Sequence, residues 1–215
     1  MNKWLALIGT ILLLSCCKDN TYHYPSVKEE FFTAYAGPDS LMQYIITDDG
    51  ALHNVAESGE LDALVPDSLI RLMGYYEELP KGEVKVYSFI KASAPFAVPV
   101  EQYTDSLPTA PVSLLSVWLG YRYLNMLVNI KSGGKTHKIL FLEEKYTTPD
   151  SSGVAKAVVN IYHKDNNDAQ VYEVRGYASL PLSPYLTPET RRLDLQLNFL
   201  SYKGDTCTLN FEYKP

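Results

Sequence analysis

From Leu124 onward the apolar residues fall on alternate positions. Leu124, Met126, Val128 and Ile130 form one run, and Ala155, Ala157, Val159 and Ile161 a second; Leu193, Leu195, Leu197 and Phe199 are followed by Cys207, Leu209, Phe211 and Tyr213. A side-chain period of two belongs to an extended strand, so each run has one buried and one wet face. Between the runs stand Ser132-Gly133-Gly134-Lys135, Asp165-Asn166-Asn167-Asp168 and Lys203-Gly204-Asp205, the residue types that tight turns require. The pattern predicts antiparallel sheets: 124–131 paired with 136–144, 155–161 turning into 171–180, and 193–199 with 207–213. Closure as a β-sandwich over 112–215 is expected.

The first half is also β in character. Phe31 to Ala36 alternates up to Gly37-Pro38-Asp39, Leu41 to Thr47 is a second strand, and Asp48-Asp49-Gly50 turns into a third from Ala51 to Val55. Leu69 to Glu77 and Val84 to Ser93 give two more, and Pro66-Asp67-Ser68-Leu69 is able to start one helical turn. Five short strands over 27–97 suit a small barrel of the oligonucleotide/oligosaccharide-binding (OB) type. The stretch 98–111 holds Pro99, Pro108 and Pro111, too many prolines for a central strand, and is expected to link the two domains. The fold class is thus all-β: a small OB-type barrel followed by an antiparallel β-sandwich.

Ahead of the barrel, Lys3, an apolar run from Trp4 to Leu14, and Leu13-Leu14-Ser15-Cys16 resemble a bacterial lipoprotein signal. The run is about half of the ~20 residues that a bilayer span needs. Cleavage before Cys16 would make 1–15 a signal peptide and 16–26 a tether, with Cys16 acylated and anchored in a membrane; acylation gains ~0.8 kcal/mol per buried methylene. The Cys-x-Lys-Asp opening resembles lipoproteins of the Bacteroides lineage, and the expected address is the outer membrane, facing either the surface or the periplasm. Removing Lys3 leaves 18 basic residues (19 − 1) against 25 acidic ones, a net charge of −7, which repels phosphate backbones. Nucleic acid is an unsuitable partner. The cysteines Cys16, Cys17 and Cys207 imply no disulfide framework.

The order of parts resembles the NigD-like family. The resemblance rests on the lipoprotein signal, Tyr24-Pro25-Ser26-Val27 leading into Phe32-Thr33-Ala34-Tyr35, and the hairpin at Asp48-Asp49-Gly50. It extends through the strand Gly120 to Lys131 and the closing hairpin at Lys203-Gly204-Asp205. It implies a lipoprotein of Bacteroides or its relatives, with an OB-type barrel and a C-terminal sandwich, and carries over no functional residue. The family name comes from a bacteriocin gene cluster, which makes immunity or export an alternative to a binding role.

No chemistry announces itself in the chain. Lys131-Ser132-Gly133-Gly134-Lys135-Thr136 superficially resembles a phosphate loop, but the first glycine is replaced by Asn129 and a strand follows instead of a helix. His23, His53, His137 and His163 are scattered and are expected on surfaces or beside hairpins, so neither metal nor cofactor is predicted. Cys207 alternates in phase with a core face. No nucleophile elbow is present, and a non-enzymatic binding module is expected, a hydrolase with an unrecognised site being the remaining alternative. Tyr121 and Tyr123 share a predicted strand face with Asn125 and Asn129, and Arg175 and Tyr177 share one with Glu173. Aromatics among polar groups fit a glycan or an envelope protein, which makes Tyr121 and Tyr123 the candidate partner face. Asp39-Ser40-Leu41, Asp67-Ser68-Leu69 and Asp105-Ser106-Leu107 resemble the O-glycosylation sequon of the Bacteroides lineage, nominating Ser40, Ser68 and Ser106.

Overall fold

The computed structural model describes residues 24–58 and 64–215; the signal sequence and Cys16 lie outside them. Among the described residues regular structure is β apart from three short 3-10 turns, and no helix is long and apolar enough to cross a membrane. Five strands, β1 (Val27–Ala36), β2 (Met42–Thr47), β3 (Leu52–Ser58), β4 (Ser68–Glu78) and β5 (Glu83–Lys91), close into a barrel in the order β1-β2-β3-β5-β4. Closure leaves the inner positions Phe32, Ala34, Ile45, Leu72, Tyr76, Val84 and Val86 as a separate core. Pro66-Asp67 forms a turn, with no helix.

Eight further strands follow: β6 (Val98–Pro99), β7 (Ser113–Gly120), β8 (Tyr123–Ser132), β9 (Lys138–Thr147), β10 (Val154–Lys164), β11 (Tyr172–Pro181), β12 (Arg192–Leu200) and β13 (Thr206–Tyr213). They make a five-stranded sheet, β13-β12-β10-β9-β6, and a three-stranded sheet, β11-β8-β7. The alternating residues of β10, with Leu124, Met126, Val128, Leu193, Leu195, Leu197 and Tyr213, are buried between the two sheets, while Ile130, Phe199, Leu209 and Phe211 pack against that core partly exposed.

Period two reports which face of a strand is apolar but is silent on its neighbour, and here the pairing departs from expectation. β8 and β9, expected as a hairpin, belong to different sheets, so the Gly133-Gly134 loop crosses from one sheet to the other. β10 and β11 are separated in the same way, and β10 pairs with β12 in parallel. Of the sandwich turns only the hairpin about Lys203-Gly204-Asp205 pairs as expected, β12 with β13, as the Asp48-Asp49-Gly50 hairpin does in the barrel, β2 with β3. The predicted strand from Gly120 breaks at Tyr121-Arg122, which is the turn between β7 and β8. The proline-rich stretch 98–111 is no free linker. Val98 and Pro99 add a parallel edge to β9, and Ala110 bridges to His163. Proline is tolerated there because an outer edge needs no second set of amide donors.

Candidate functional site at the barrel–sandwich junction

The outer face of β1 and β4 is covered by the outer face of the three-stranded sheet. Phe31 is fully buried there and meets Trp118 and Tyr177 edge to face at 5.4 and 5.9 Å. Beside it lies Arg71, only 5% exposed. Its guanidinium donates to Asp48, to Asn125 Oδ1 at 2.9 Å, to Thr33 Oγ1 at 3.2 Å and to Ser179 Oγ at 3.4 Å. The same group lies 4.2 Å from the ring centre of Tyr123. Asp48 also accepts from Asn125 Nδ2 at 2.5 Å and from Trp118 Nε1 at 3.3 Å, and its carbonyl accepts the Tyr121 amide at 2.7 Å. A buried charge with a partner on every nitrogen meets the condition under which ion pairs are tolerated inside proteins. The chain seals the junction further where Ser93 leaves β5 and pairs with β11, through Ser93 N to Tyr177 O and Ser179 N to Ser93 O, both 2.9 Å. Two glycines permit the close approach: a side chain at Gly120 would strike Asp48, and one at Gly50 (φ +89°) would strike the Tyr121 ring.

The aromatic and polar face expected for a partner is therefore largely occupied by the chain's own barrel. Asn125 is fully buried, and Tyr123 lies beneath Arg71. Tyr121, 39% exposed, stays at the rim of a cleft of about 520 Å³ on one side of Arg71. Leu69 and Phe96, both 61% exposed, and Arg122 line it with Tyr121. Arg122 takes the left-handed conformation (φ +59°), its amide donating to Tyr213 Oη and its carbonyl accepting from Leu182 N. The guanidinium sits 5.3 Å from the Tyr121 ring centre and forms no ion pair among the described residues. Glycine is the residue such a turn favours, so an arginine there works against stability by ~1 kcal/mol. Arg122→Gly is expected to raise stability by about 0.5–1 kcal/mol in a denaturant titration while weakening any ligand of the cleft. Unchanged or lower stability would show that the turn imposes no such strain.

Sequence reasoning missed Arg71 and Arg122. The available signal for the first was a lone charge inside the apolar run Leu69-Ile70-Arg71-Leu72-Met73. Asp48 was absorbed into a turn motif, which explained it too well.

A second polar constellation lies at an end of the sandwich. His163 and His137, expected near the surface, are both buried. His163 Nδ1 donates to the Pro111 carbonyl at 2.8 Å, His163 Nε2 faces His137 Nδ1 at 2.8 Å, and His137 Nε2 donates to Asp168 Oδ2 at 3.0 Å. Both ends of this chain are acceptors, so each end nitrogen needs a proton, and one more must lie between the rings. Three protons on two imidazoles make one positive charge, balanced by Asp168. Burial, reinforced by the neighbouring His137, holds the His163 pKa below its ordinary 6.5. Burial pushes the Asp168 carboxyl upward, but hydrogen bonds from His137, Gly133, Ser132 and Lys135 outweigh it and leave its pKa well below the ordinary 3.8. The glycine loop that superficially resembled a phosphate site is indeed an anion cradle, filled by the protein's own Asp168 through the Gly133 amide at 2.6 Å and the Lys135 amide at 3.1 Å. The Ser132 hydroxyl donates to Asp168 and not to a histidine, so the array lacks an activated nucleophile. Its three groups form a line instead of converging on one point, and no metal cluster is found among the described residues.

The nominated serines differ in setting. Ser40 is half-buried in a left-handed turn (φ +64°), and Ser68 opens β4 with its hydroxyl donating to Val65 O at 2.6 Å. Ser106 is exposed beside a polar groove shared with Lys164 and Asp165. Cys207 is half-buried on β13, opposite Phe199.

Comparison with known proteins adds a family to this geometry. The model of the NigD-like C-terminal beta sandwich domain matches residues 96–213. A NigD-like immunity protein from Bacteroides caccae is 32% identical, with a TM-score of 0.73 over 90% of this chain and 100% of that one. A protein provisionally described as toxin-related from Parabacteroides distasonis shares the fold at 20% identity, with a TM-score of 0.69 over 88% of this chain and 94% of that one. A protein of unknown function from Bacteroides vulgatus does so at 16% identity, with a TM-score of 0.66 over 88% and 92%. No curated protein matches the sequence.

Proposed function

The chain belongs to the NigD-like family, and from that premise we propose that it is a non-enzymatic binding module of the cell envelope, anchored through Cys16 and working through the junction cleft. One observation carries the binding role: a concave site between two welded β domains that keeps an exposed tyrosine, phenylalanine and leucine beside an unpaired arginine. Tyrosine and arginine are the residues that dominate binding energetics, and domain junctions are where ligand sites concentrate. Cys16 supports the anchor by its place after Leu13-Leu14-Ser15. In the native host, Cys16→Ala is expected to move the protein from the membrane to the soluble envelope fraction, and protease added to intact cells to remove the sandwich while a periplasmic control survives. Retention of the variant in the membrane would overturn the anchor, and protection of the sandwich would turn the module inward.

The similarity to the Bacteroides caccae immunity protein favours a second reading, in which the captured partner is a toxin. A strain lacking the gene would then become sensitive to a competitor's spent medium, and Tyr121→Ala would fail to restore resistance. Equal survival of the deleted and intact strains would exclude immunity.

A further inference from the structure

The junction cleft carries a feature that selects among ligand classes. Arg71 O accepts the Ala92 amide, so on β4 the backbone groups of Arg71, and by the period of two those of Leu69, point away from β1. β5 accompanies β4 only as far as the pair Leu72–Lys91. Beyond Ala92 the chain leaves, and Ser93 donates to Tyr177 on β11 instead. The amide and carbonyl of Leu69 therefore lie on a strand edge with no partner strand among the described residues. This edge opens where the Leu69 side chain lines the cleft. Arg122 lines the same cleft, whose lining holds no carboxylate. An open edge provides main-chain hydrogen bonds, the exposed Phe96 and Tyr121 of the cleft lining offer apolar surface to a side chain, and a guanidinium grips a carboxylate.

We propose that the cleft binds an extended acidic segment of another polypeptide, which adds alongside Leu69 and places a carboxylate on Arg122. The proposal rests on the binding role given above and names its partner class. Charge favours it: in a chain of net charge −6 an unpaired arginine facing an acid-free cleft is a local inversion of sign. The open edge favours a polypeptide over a glycan, because a sugar has no repeating amide and carbonyl to match it.

The test is fluorescence anisotropy with a labelled heptapeptide of alternating valine and glutamate. Its companions are a lysine-for-glutamate twin, a version N-methylated at alternate amides, and labelled oligogalacturonate as an acidic glycan. The glutamate peptide is expected to bind, and the lysine twin, the N-methylated peptide and the Arg122→Glu protein each to weaken binding roughly tenfold or more. Arg122 sits on an exposed turn, and circular dichroism would verify that the variant is folded. Equal affinity for the N-methylated peptide, or for Arg122→Glu, overturns the proposal. Arg122-dependent binding of oligogalacturonate without any peptide binding overturns it too, but leaves the cleft's binding role standing. If no probe responds to Arg122→Glu or Tyr121→Ala, both fall.

Discussion

Replacing Arg71 by methionine is expected to destabilise the protein by about 3–5 kcal/mol, near 10 °C in melting temperature for a chain of this size. Methionine has a similar length and apolar stem, so the loss would come from the charge network and not from a cavity. Asp48 would be left as a largely buried carboxylate with only Asn125 and Trp118 as side-chain donors, and Thr33 and Ser179 would lose the guanidinium between them. Four strands meet at this point: Thr33 on β1, Arg71 on β4, Asn125 on β8 and Ser179 on β11. The barrel and sandwich should therefore unfold in one calorimetric transition in the wild type and in two in Arg71→Met. Adding Asp48→Asn should restore much of the loss, because removing the second charge removes the cost of leaving it unpaired. A single transition in Arg71→Met, shifted by less than about 1 kcal/mol, would mean that apolar packing of Phe31 on Trp118 and Tyr177 holds the junction by itself.

These side chains mark the boundary of what the sequence discloses. Alternation located the buried faces of β8, β10, β12 and β13 because one strand's own residues contain that information. The neighbour of each strand depends on how loops carry the chain between sheets, and Gly133-Gly134 is as compatible with a crossover as with a hairpin. The wet face of β8 was visible in Tyr123, Asn125 and Asn129, yet its occupant was not, because a polar-aromatic face against water and one against a folded neighbour have the same composition. Tyr121 entered the cleft for a reason outside the strand pattern: Arg122 turns left-handed beside it. His137, His163 and Asp168 are 26 and 31 positions from one another along the chain, as counted from His137, and each looked isolated. Only the crossing of three inter-sheet connections at one end of the sandwich brings them together.

That histidine clasp sets the second large expectation, a loss of stability on mild acidification. His163 has a folded-state pKa below its ordinary 6.5, so the unfolded chain binds the proton more readily. The stability this confers is complete above pH 6.5 and declines as pH falls from there towards the folded value, with a ceiling of ~1.4 kcal/mol per pH unit for one group. A second stage belongs to Asp168, whose pKa is also depressed, and begins as pH falls through 3.8. In structural terms, a fourth proton on the two rings turns the 2.8 Å contact between His163 Nε2 and His137 Nδ1 into a clash of two N–H groups and two cations. Asp168 faces this pair directly, with Asp165 near His163 and Lys135 joined to the Asp168 cradle through its amide, so one carboxylate in contact would have to balance two charges. His163→Leu should start from lower stability, because the Pro111 carbonyl and His137 lose their partner, but its stability should change little between pH 7 and 5. Denaturant midpoints of both proteins across that interval measure the difference. If wild type and His163→Leu fall in parallel, the acid response arises elsewhere and the clasp is only a set of hydrogen bonds joining the segment before β7 to the β8–β9 and β10–β11 connections.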